Sequence, residues 1–252
     1  MCRLFLSYHQ SDVENLLKMF LETQIPKIPG SPKIDQKCLR NDGPNKDGFG
    51  IAWYDKGQWM IYKKEGMYKD DKQLEKVFTT IPPNTIVLGH VRRKSHGEPE
   101  YDNTHPFIYK NSIFMHNGKI IDYEKHHESI LAKIAPMYRK QIQGETDSEV
   151  LFYLFLSCIS KPGSRKTVKK SQKNPYVYKA FAKMCRILKS LGVSWIGNIM
   201  YADKSYMLIT RHSESSCPAP SLYTSRIGIT SDPLDSSSVL IPENTILVRK
   251  IG

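Results

Sequence analysis

Apolar and polar residues alternate in several short stretches of the chain. Each such stretch predicts a β-strand, because successive side chains of a strand point to opposite faces. In chain order the predicted strands are Cys2 to Tyr8, Phe49 to Tyr54, Trp59 to Lys63, Thr85 to Val91, Phe107 to Tyr109, Ser112 to Met115, Trp195 to Tyr201, Tyr206 to Thr210, Ile227 to Thr230 and Thr245 to Lys250. The sequence Asp55-Lys56-Gly57 between the second and the third is typical of a hairpin turn.

Four other stretches have apolar residues at helical spacing. The first predicted helix begins at the capping box Ser11-Asp12-Val13-Glu14, and a long loop from Ile25 to Pro44 follows it. The others are predicted from Tyr123 to about Ala135, from the capping box Thr146-Asp147-Ser148-Glu149 to Ile159, and from Asn174-Pro175 to Gly192. Strands, then helices, then strands, without an internal repeat or linker, predict a single α+β domain over residues 2–252.

The composition is that of an ordinary globular protein with an excess of basic residues. Of the 252 residues, 40% are apolar and 25% are charged, and the formal net charge is +12. A chain of this length can bury a large core and needs neither disulfides nor a metal for stability. The basic excess is compatible with a nucleic acid, an anionic membrane or a carboxylate-bearing substrate, and it cannot choose among them.

Neither export nor membrane insertion is predicted. The longest apolar stretch, Val150 to Ile159, is much shorter than the roughly 20 residues that a membrane-spanning helix requires. Only Leu4, Phe5 and Leu6 form an apolar run near the N-terminus, which is too short for a secretory signal, so the cytoplasm is the expected location. The five cysteines include no CxxC pair, which argues against a disulfide framework or a zinc knuckle.

Cys2 is the first candidate for chemistry. Initiator methionine is normally removed ahead of a small residue, and removal of Met1 leaves Cys2 with a free α-amine. The reference pKa of an α-amine is about 7.7–8.0 and that of a thiol about 8.5, so the amine can accept the thiol proton near neutral pH. One residue then supplies both the nucleophile and the base, although a cysteine at position 2 also occurs by chance.

Three further segments carry groups that complement this nucleophile. Arg92 follows a predicted strand, and its planar guanidinium matches a carboxylate. Asn117 and Gly118 follow another strand, and their N–H groups can point together at a developing oxyanion. Asp147, in the first turn of a helix, can accept an ammonium group. Each residue alone also has a purely structural explanation, but together they can hold a glutamine-like γ-glutamyl compound.

The motifs around these residues resemble the class II glutamine amidotransferases, which are N-terminal-nucleophile hydrolases. The resemblance rests on six segments in the family's order: Met1-Cys2-Arg3-Leu4, residues 47–54 (DGFGIAWY), Gly89-His90-Val91-Arg92, residues 103–107 (NTHPF), His116-Asn117-Gly118 and residues 144–149 (GETDSE). A weaker C-terminal pattern includes Ser231-Asp232-Pro233. The match is to the stand-alone branch of the family, which has no fused synthase or isomerase domain.

This resemblance implies a fold, a reaction and a set of roles. The fold is a four-layer αββα sandwich, and the reaction is hydrolysis of a γ-glutamyl amide through a thioester on Cys2, with release of glutamate and without a cofactor or metal. The implied roles are oxyanion stabilisation by Asn117 and Gly118, α-carboxylate binding by Arg92, α-ammonium binding by Asp147, and lining of the substrate pocket by Ser95 and His96. The leaving group stays open: ammonia, Cys-Gly from glutathione, or another amine.

Three alternatives accompany this prediction. A metal site formed by His90, His96, His105 and His116 is disfavoured, because their spacings do not match a helical HxxH or HExxH arrangement and no acidic residue is recognisably placed among them. Nucleic-acid binding by the basic segment Lys161 to Lys173 is disfavoured, because no aromatic residue is interleaved within it. A third alternative is an amidotransferase-fold subunit that acts only with a partner protein, with the basic segment as its docking surface.

Overall fold

The computed structural model describes residues 2–16, 45–94, 96–159 and 175–251 of the chain. Four features predicted from the sequence fall wholly or partly elsewhere. The second half of the first predicted helix, the loop from Ile25 to Pro44, the basic segment Lys161 to Lys173 and the site candidate Ser95 lie outside the described residues.

The described residues form twelve strands in two antiparallel sheets. They are β1 (Arg3–Ser7), β2 (Phe49–Asp55), β3 (Gln58–Lys64), β4 (Val87–Val91), β5 (Phe107–Tyr109), β6 (Ser112–Ile120), β7 (Trp195–Ala202), β8 (Tyr206–Ser213), β9 (Tyr223–Thr224), β10 (Gly228–Thr230), β11 (Val239–Leu240) and β12 (Thr245–Lys250). The seven-stranded sheet has the order β11-β9-β10-β1-β4-β2-β3, and the five-stranded sheet has the order β12-β8-β7-β6-β5. The strand that follows Cys2 is therefore the central strand of the larger sheet.

Helices cover the outer faces of both sheets. They are α1 (Leu74–Thr80), α2 (Tyr123–Leu131), α3 (Pro136–Arg139), α4 (Asp147–Cys158) and α5 (Tyr176–Ser190), and residues 13–16 are also helical. No helix within the described ranges is both long enough and apolar enough to cross a membrane.

Three clusters of buried apolar side chains separate the layers. Leu4 and Leu6 of β1 pack with Ile113 and Met115 of β6 between the two sheets. Phe5, on the opposite face of β1, belongs to the cluster beneath residues 13–16 and α1. The third cluster lies between the five-stranded sheet and α2 to α5. Each fully buried Leu or Phe side chain stabilises the fold by about 1.5–3 kcal/mol. The layers are thus helices, sheet, sheet and helices, which confirms the predicted αββα sandwich.

The alternation of side chains along β1 and β6 also positions polar groups. Since Leu4 and Leu6 face the inter-sheet core, the period of two directs Cys2 to the same face. Asn117 shares the inward face of β6 with Ile113 and Met115 for the same reason. Two residues that are 115 positions apart in the sequence are therefore turned toward the same interface.

Two sequence-based boundaries and one expectation about the cysteines are wrong. The segment His116-Asn117-Gly118 was predicted to follow a strand, but it lies within β6, which continues to Ile120. The strand is longer than predicted because β7 pairs with it along this stretch. Helix α2 ends at Leu131, and Pro136 begins the separate helix α3. Cys217 is disulfide-bonded, whereas the absence of a CxxC pair argued against disulfides.

At the N-terminus of α4, only one of the two hydrogen bonds of the predicted capping box forms. The Thr146 hydroxyl accepts a hydrogen bond from the Glu149 N–H at 3.3 Å, as an N-cap should. The Glu149 carboxylate, however, accepts from the N–H groups of Gln143 and Gly144, at 3.1 and 2.7 Å. It therefore holds the loop that leads into α4, and this loop fixes the position at which Asp147 enters the core.

Candidate active site

Cys2 lies at the start of the central strand, beside the segment that follows β4. The pairing of Arg3 with Val91 brings this segment alongside Cys2, and the backbone N–H of Arg93 donates to Cys2 Sγ at 3.3 Å. Burial raises the pKa of the Cys2 thiol, while the Arg93 N–H and the positive charge of Arg92 lower it. The thiol is therefore protonated at neutral pH in this environment, and it needs a base before it can act as a nucleophile.

Asn117 reaches the strand of Cys2 through a serine. Its side-chain Nδ2 lies 3.5 Å from Ser231 Oγ, and the same Oγ accepts the N–H of Leu4 at 2.9 Å. Asn117 is 2% exposed, so its amide is held in the interior near the strand that follows Cys2. An amide N–H in this position can stabilise a developing negative charge, because the site is shielded from water.

Gly118 occupies a position where no side chain fits. A Cβ atom there would lie 2.0 Å from the carbonyl oxygen of Ile196 and 2.5 Å from the Cα of Gly197, its partner in β7. Real Cβ contacts are never so short, and backbone atoms cannot yield as a flexible side chain can. The two glycines therefore allow β6 and β7 to pair closely beside Asn117.

Asp147 connects α4 to β6. Its Oδ2 accepts the backbone N–H of Ile120 at 2.8 Å, and its Oδ1 accepts the Ser148 hydroxyl at 3.2 Å. The carboxylate is close enough to Cys2 for its negative charge to raise the pKa of that thiol. Since each carboxylate oxygen can accept more than one hydrogen bond, Asp147 can still receive an ammonium group.

Arg92 is 3% exposed and directs its guanidinium at a loop. It donates to the backbone carbonyls of His96, Gly97 and Glu98 at 2.9, 2.9 and 2.8 Å. These bonds shape the loop, while the positive charge of Arg92 lowers the pKa of Cys2. The structure thus gives Arg92 a clear task in holding residues 96–98, and binding of a substrate carboxylate stays a prediction.

An open pocket of about 550 Å³ lies beside Asp147. Its lining is formed by His96, Lys119, Ile120, Asp122, Tyr123, Glu124, Lys125 and Asp147. The His96 ring contacts Tyr123 edge-on and lies 3.0 Å from a carboxylate oxygen of Glu124. Two of the predicted site residues, His96 and Asp147, therefore line one pocket, whereas Cys2 and Asn117 lie on the inter-sheet side.

Three buried histidines form a cluster next to these groups. The rings of His90 and His105 lie 4.0 Å apart, and His116 Nδ1 is 2.9 Å from the Ser148 hydroxyl. Burial lowers the pKa of all three, and that of His90 falls to about 3. All three are therefore neutral near pH 7. Among the described residues, no group of three or more His, Cys, Asp or Glu side chains is arranged to hold a metal ion.

Ser231 and Asp232 are contributors to the site that sequence reasoning did not assign. Ser231 contacts both Leu4 and Asn117, as given above, and the Asp232 carboxylate pairs with Arg3 Nε at 2.6 Å. Both residues therefore flank Cys2 although they come more than 200 positions later. The only signal that could have found them is the resemblance of Ser231-Asp232-Pro233 to the C-terminal family pattern.

Comparison with known proteins yields one family. Residues 15–212 match the family model described as "Glutamine amidotransferases class-II". A Saccharomyces cerevisiae protein named probable glutamine amidotransferase DUG3 is 33% identical over 124 residues, which are 47% of this chain and 35% of the yeast protein. An uncharacterized protein of Methanocaldococcus jannaschii is 30% identical over 175 residues, 68% of this chain and 43% of that protein. The matched segments thus span less than half the length of these two relatives.

The fold has similar solved structures. A glutamine aminotransferase class-II domain protein from Silicibacter pomeroyi superposes with a TM-score of 0.57 at 22% identity. The superposition covers 98% of this chain and 94% of that one. The likeness concerns the fold, and it extends over both sheets and the helices on either side.

Proposed function

The chain belongs to the class II glutamine amidotransferases, and we propose that it hydrolyses the γ-glutamyl amide bond of glutamine or of a γ-glutamyl compound such as glutathione. The observation that carries this proposal is the placement of Cys2 and Asn117. Cys2 immediately precedes β1, the central strand, and the Asn117 amide faces the same interface and is joined to that strand through Ser231.

The reaction begins with maturation and proton transfer. Removal of Met1 gives Cys2 a free α-amine, which accepts the thiol proton. Burial raises the pKa of this thiol, so a base within the same residue meets a specific need of the site. Proton transfer yields a thiolate and an ammonium group on Cys2, and the positive charge of Arg92 favours the thiolate.

The thiolate then attacks the γ-carbonyl carbon of the substrate. A C–S bond forms while the carbonyl π electrons move to oxygen, and the Asn117 Nδ2–H and the Gly118 N–H stabilise the resulting oxyanion. Collapse breaks the C–N bond, and the leaving amine takes the proton from the Cys2 ammonium. Water, deprotonated by the same α-amine, attacks the thioester and releases glutamate with the thiol restored.

Charged groups select the glutamyl part of the substrate. Asp147 accepts the α-ammonium, and Arg92 attracts the α-carboxylate while it holds the loop of residues 96–98. The pocket that contains His96 and Asp147 offers room for this end of the molecule. We propose the cytoplasm as the location of this activity, because a free Cys2 thiol stays reduced there; the disulfide of Cys217 is of a kind that is rare in that compartment.

The proposal is tested with purified chain and a panel of γ-glutamyl substrates. N-terminal sequencing establishes whether Met1 is removed, and glutamate release is measured with glutamine, glutathione and a chromogenic γ-glutamyl anilide. We expect turnover of at least one substrate and its loss in Cys2→Ala. Cys185→Ala is the matched control, because Cys185 is also a half-buried thiol but lies in α5, and it should retain full activity.

Two outcomes contradict the proposal. Turnover that survives in Cys2→Ala excludes the thioester mechanism. A chain that loses Met1 and folds normally, yet releases glutamate from none of the substrates, favours instead a subunit that needs a partner protein.

A further inference from the structure

Ser231 is locked to the nucleophile strand from both directions. Its backbone N–H donates to the carbonyl oxygen of Leu4 at 3.0 Å, and its Oγ accepts the N–H of Leu4 at 2.9 Å. Leu4 is two residues after Cys2 and points to the same face of β1. The position of Ser231 Oγ is therefore set by the strand that carries the nucleophile.

The same oxygen is the hydrogen-bond partner of the Asn117 amide. Nδ2 of Asn117 lies 3.5 Å away, while Oδ1 of Asn117 is buried and has no partner among the described residues. Hydrogen bonds of catalytic groups are often long without substrate and tighten when it binds. The orientation of this amide thus depends on Ser231, which directs Nδ2 and leaves its second hydrogen available.

The environment of Ser231 leaves it little freedom. Its carbonyl oxygen accepts the Ser221 hydroxyl at 2.7 Å, and the next residue, Asp232, pairs with Arg3 on the nucleophile strand at 2.6 Å. Ser231 itself is 3% exposed. The contacts with Ser221 and of Asp232 with Arg3 therefore fix Ser231 relative to β1. A residue that orients another side chain within a site must itself be held in this way.

We propose that Ser231 is a positioning residue, which fixes the direction of the Asn117 amide relative to Cys2 so that one Nδ2 hydrogen points at the oxyanion. This inference rests on the proposed function and deepens it. Ser231 does not touch the substrate, and its effect on the reaction passes entirely through Asn117. A purely structural serine, in contrast, would act on stability and on rate independently of Asn117.

The test is a double-mutant cycle of kcat for glutamate release with Ser231→Ala, Asn117→Ala and the double variant. We expect Ser231→Ala to lower kcat about 10- to 100-fold with little change in KM, because the amide loses the acceptor that orients it. In the Asn117→Ala background the same change should have almost no further effect. Ser231→Thr, which keeps the hydroxyl, should restore most of the rate.

Ser157→Ala is the matched control for the loss of a backbone contact. Ser157 is a half-buried serine of α4 whose Oγ accepts the N–H of Ala135 at 3.0 Å. Its removal should lower stability comparably and leave kcat unchanged. If Ser231→Ala does not fold, Ser231→Cys replaces it in the cycle, because sulfur is a weaker acceptor of similar shape.

The outcomes separate this inference from the proposed function. If Ser231→Ala lowers kcat by the same factor in both backgrounds, or leaves kcat unchanged, the positioning role is overturned. The proposed function still stands in that case, provided that turnover depends on Cys2. Absence of turnover in the unmodified chain, or turnover that survives in Cys2→Ala, overturns the proposed function and this inference with it.

Discussion

His90 Nε2 donates to the backbone carbonyl oxygen of His116 at 3.3 Å and joins the two sheets beside the candidate site. The acceptor is a carbonyl, so the proton must reside on Nε2 and the ring must present Nδ1 without a hydrogen. Burial is the main reason that the pKa of His90 falls to about 3; the hydrogen bond to the His116 carbonyl opposes this shift, and the positive charge of Arg92 adds to it. The bond is therefore made by a neutral imidazole over most of the pH range.

The free energy of unfolding should depend on pH through His90. In the unfolded chain its pKa is ordinary, about 6.5. As pH falls below that value, His90 becomes protonated in the unfolded state, whereas in the folded state it stays neutral down to about pH 3. The contribution of His90 to the free energy of unfolding is thus fully present above about pH 6.5. Below that pH it declines by up to about 1.4 kcal/mol per pH unit.

His90→Gln removes this titration and keeps an N–H donor for the His116 carbonyl. We expect urea unfolding at about pH 5 and about pH 7 to show a smaller difference in free energy than in the unmodified chain. His127→Gln makes the same replacement at a half-exposed position of α2, away from the buried histidines, and serves as the control. Identical pH dependence in His90→Gln and the unmodified chain would contradict the buried neutral state of His90.

Asn117→Ala should act on the rate more than on binding. Loss of one oxyanion donor lowers kcat about 10²- to 10³-fold in comparable sites, because the charge it stabilises exists only near the transition state. We expect KM for the best γ-glutamyl substrate to change less than about threefold. Initial rates of glutamate release over a range of substrate concentrations give both values.

Asn198→Ala is the control for this prediction. Asn198 pairs directly with Asn117 across β6 and β7, is equally buried, and donates to the Pro220 and Ser221 carbonyls. Its loss should reduce stability by about 1–3 kcal/mol and lower kcat much less than Asn117→Ala does, because Asn198 reaches the site only through the segment of Ser221. A drop in kcat as large as that of Asn117→Ala would mean that the effect is a general disturbance of the β6–β7 pair.

Most strands and helices could be predicted from local patterns, but which face of each strand packs against the other sheet could not. Strand β1 is apolar on both sides, since Leu4, Phe5 and Leu6 are all buried. Its pattern predicts a strand yet does not say which face meets the second sheet. The orientation of β1 is determined by the packing of Phe5 against helices and of Leu4 against β6. Most of these contacts join residues that are distant in the sequence.

The boundary of β6 shows a related limit. Asn117 and Gly118 have low strand propensity, so local reasoning ended the strand before them. In the structure Gly118 is opposite Gly197, and the close approach of two backbones that lack side chains compensates for that propensity. Only knowledge of the pairing strand could have supplied this information.

The candidate site was predictable where its chemistry is local. Cys2 was proposed from its thiol and from the α-amine that it would carry after removal of Met1, and Asp147 from its position in the first turn of a helix. The contacts of Ser231 and the carbonyl bonds of Arg92 were not predictable, because they depend on how loops return to β1 and on where a guanidinium points. Family resemblance identifies such residues by position but does not specify these bonds.

Arg92→Lys should loosen the loop of residues 96–98. The guanidinium reaches three carbonyls at once, whereas a lysine ammonium is a compact charge that cannot span them. Carbonyls left without a donor cost about 1–3 kcal/mol of stability. Since His96 belongs to this loop and lines the pocket, we expect KM to rise about tenfold while kcat falls less.

Steady-state kinetics and urea unfolding of Arg92→Lys measure these two effects. Lys94→Ala is the control, because it removes an exposed ion pair with Glu98 in the same segment and keeps the guanidinium bonds. It should change stability by less than about 0.5 kcal/mol and leave KM unchanged. An unchanged KM in Arg92→Lys would show that the loop keeps its shape without the guanidinium.

Gly118→Ala should prevent the normal pairing of β6 and β7. The added Cβ would lie 2.0 Å from the Ile196 carbonyl oxygen, and the strand backbone cannot move away without breaking its ladder. We expect the free energy of unfolding to fall by about 3 kcal/mol or more, at the upper end of overpacking effects. Urea unfolding followed by circular dichroism measures it.

Gly192→Ala separates this steric effect from ordinary glycine strain. Gly192 has a φ of +69° after α5, and a Cβ there would meet no atom within 4 Å. Its substitution should therefore cost only the left-handed backbone penalty, about 1–2 kcal/mol. If Gly118→Ala is no more destabilising than Gly192→Ala, the two strands can separate beside Asn117. The close β6–β7 pairing would then not be what holds the proposed oxyanion donors in place.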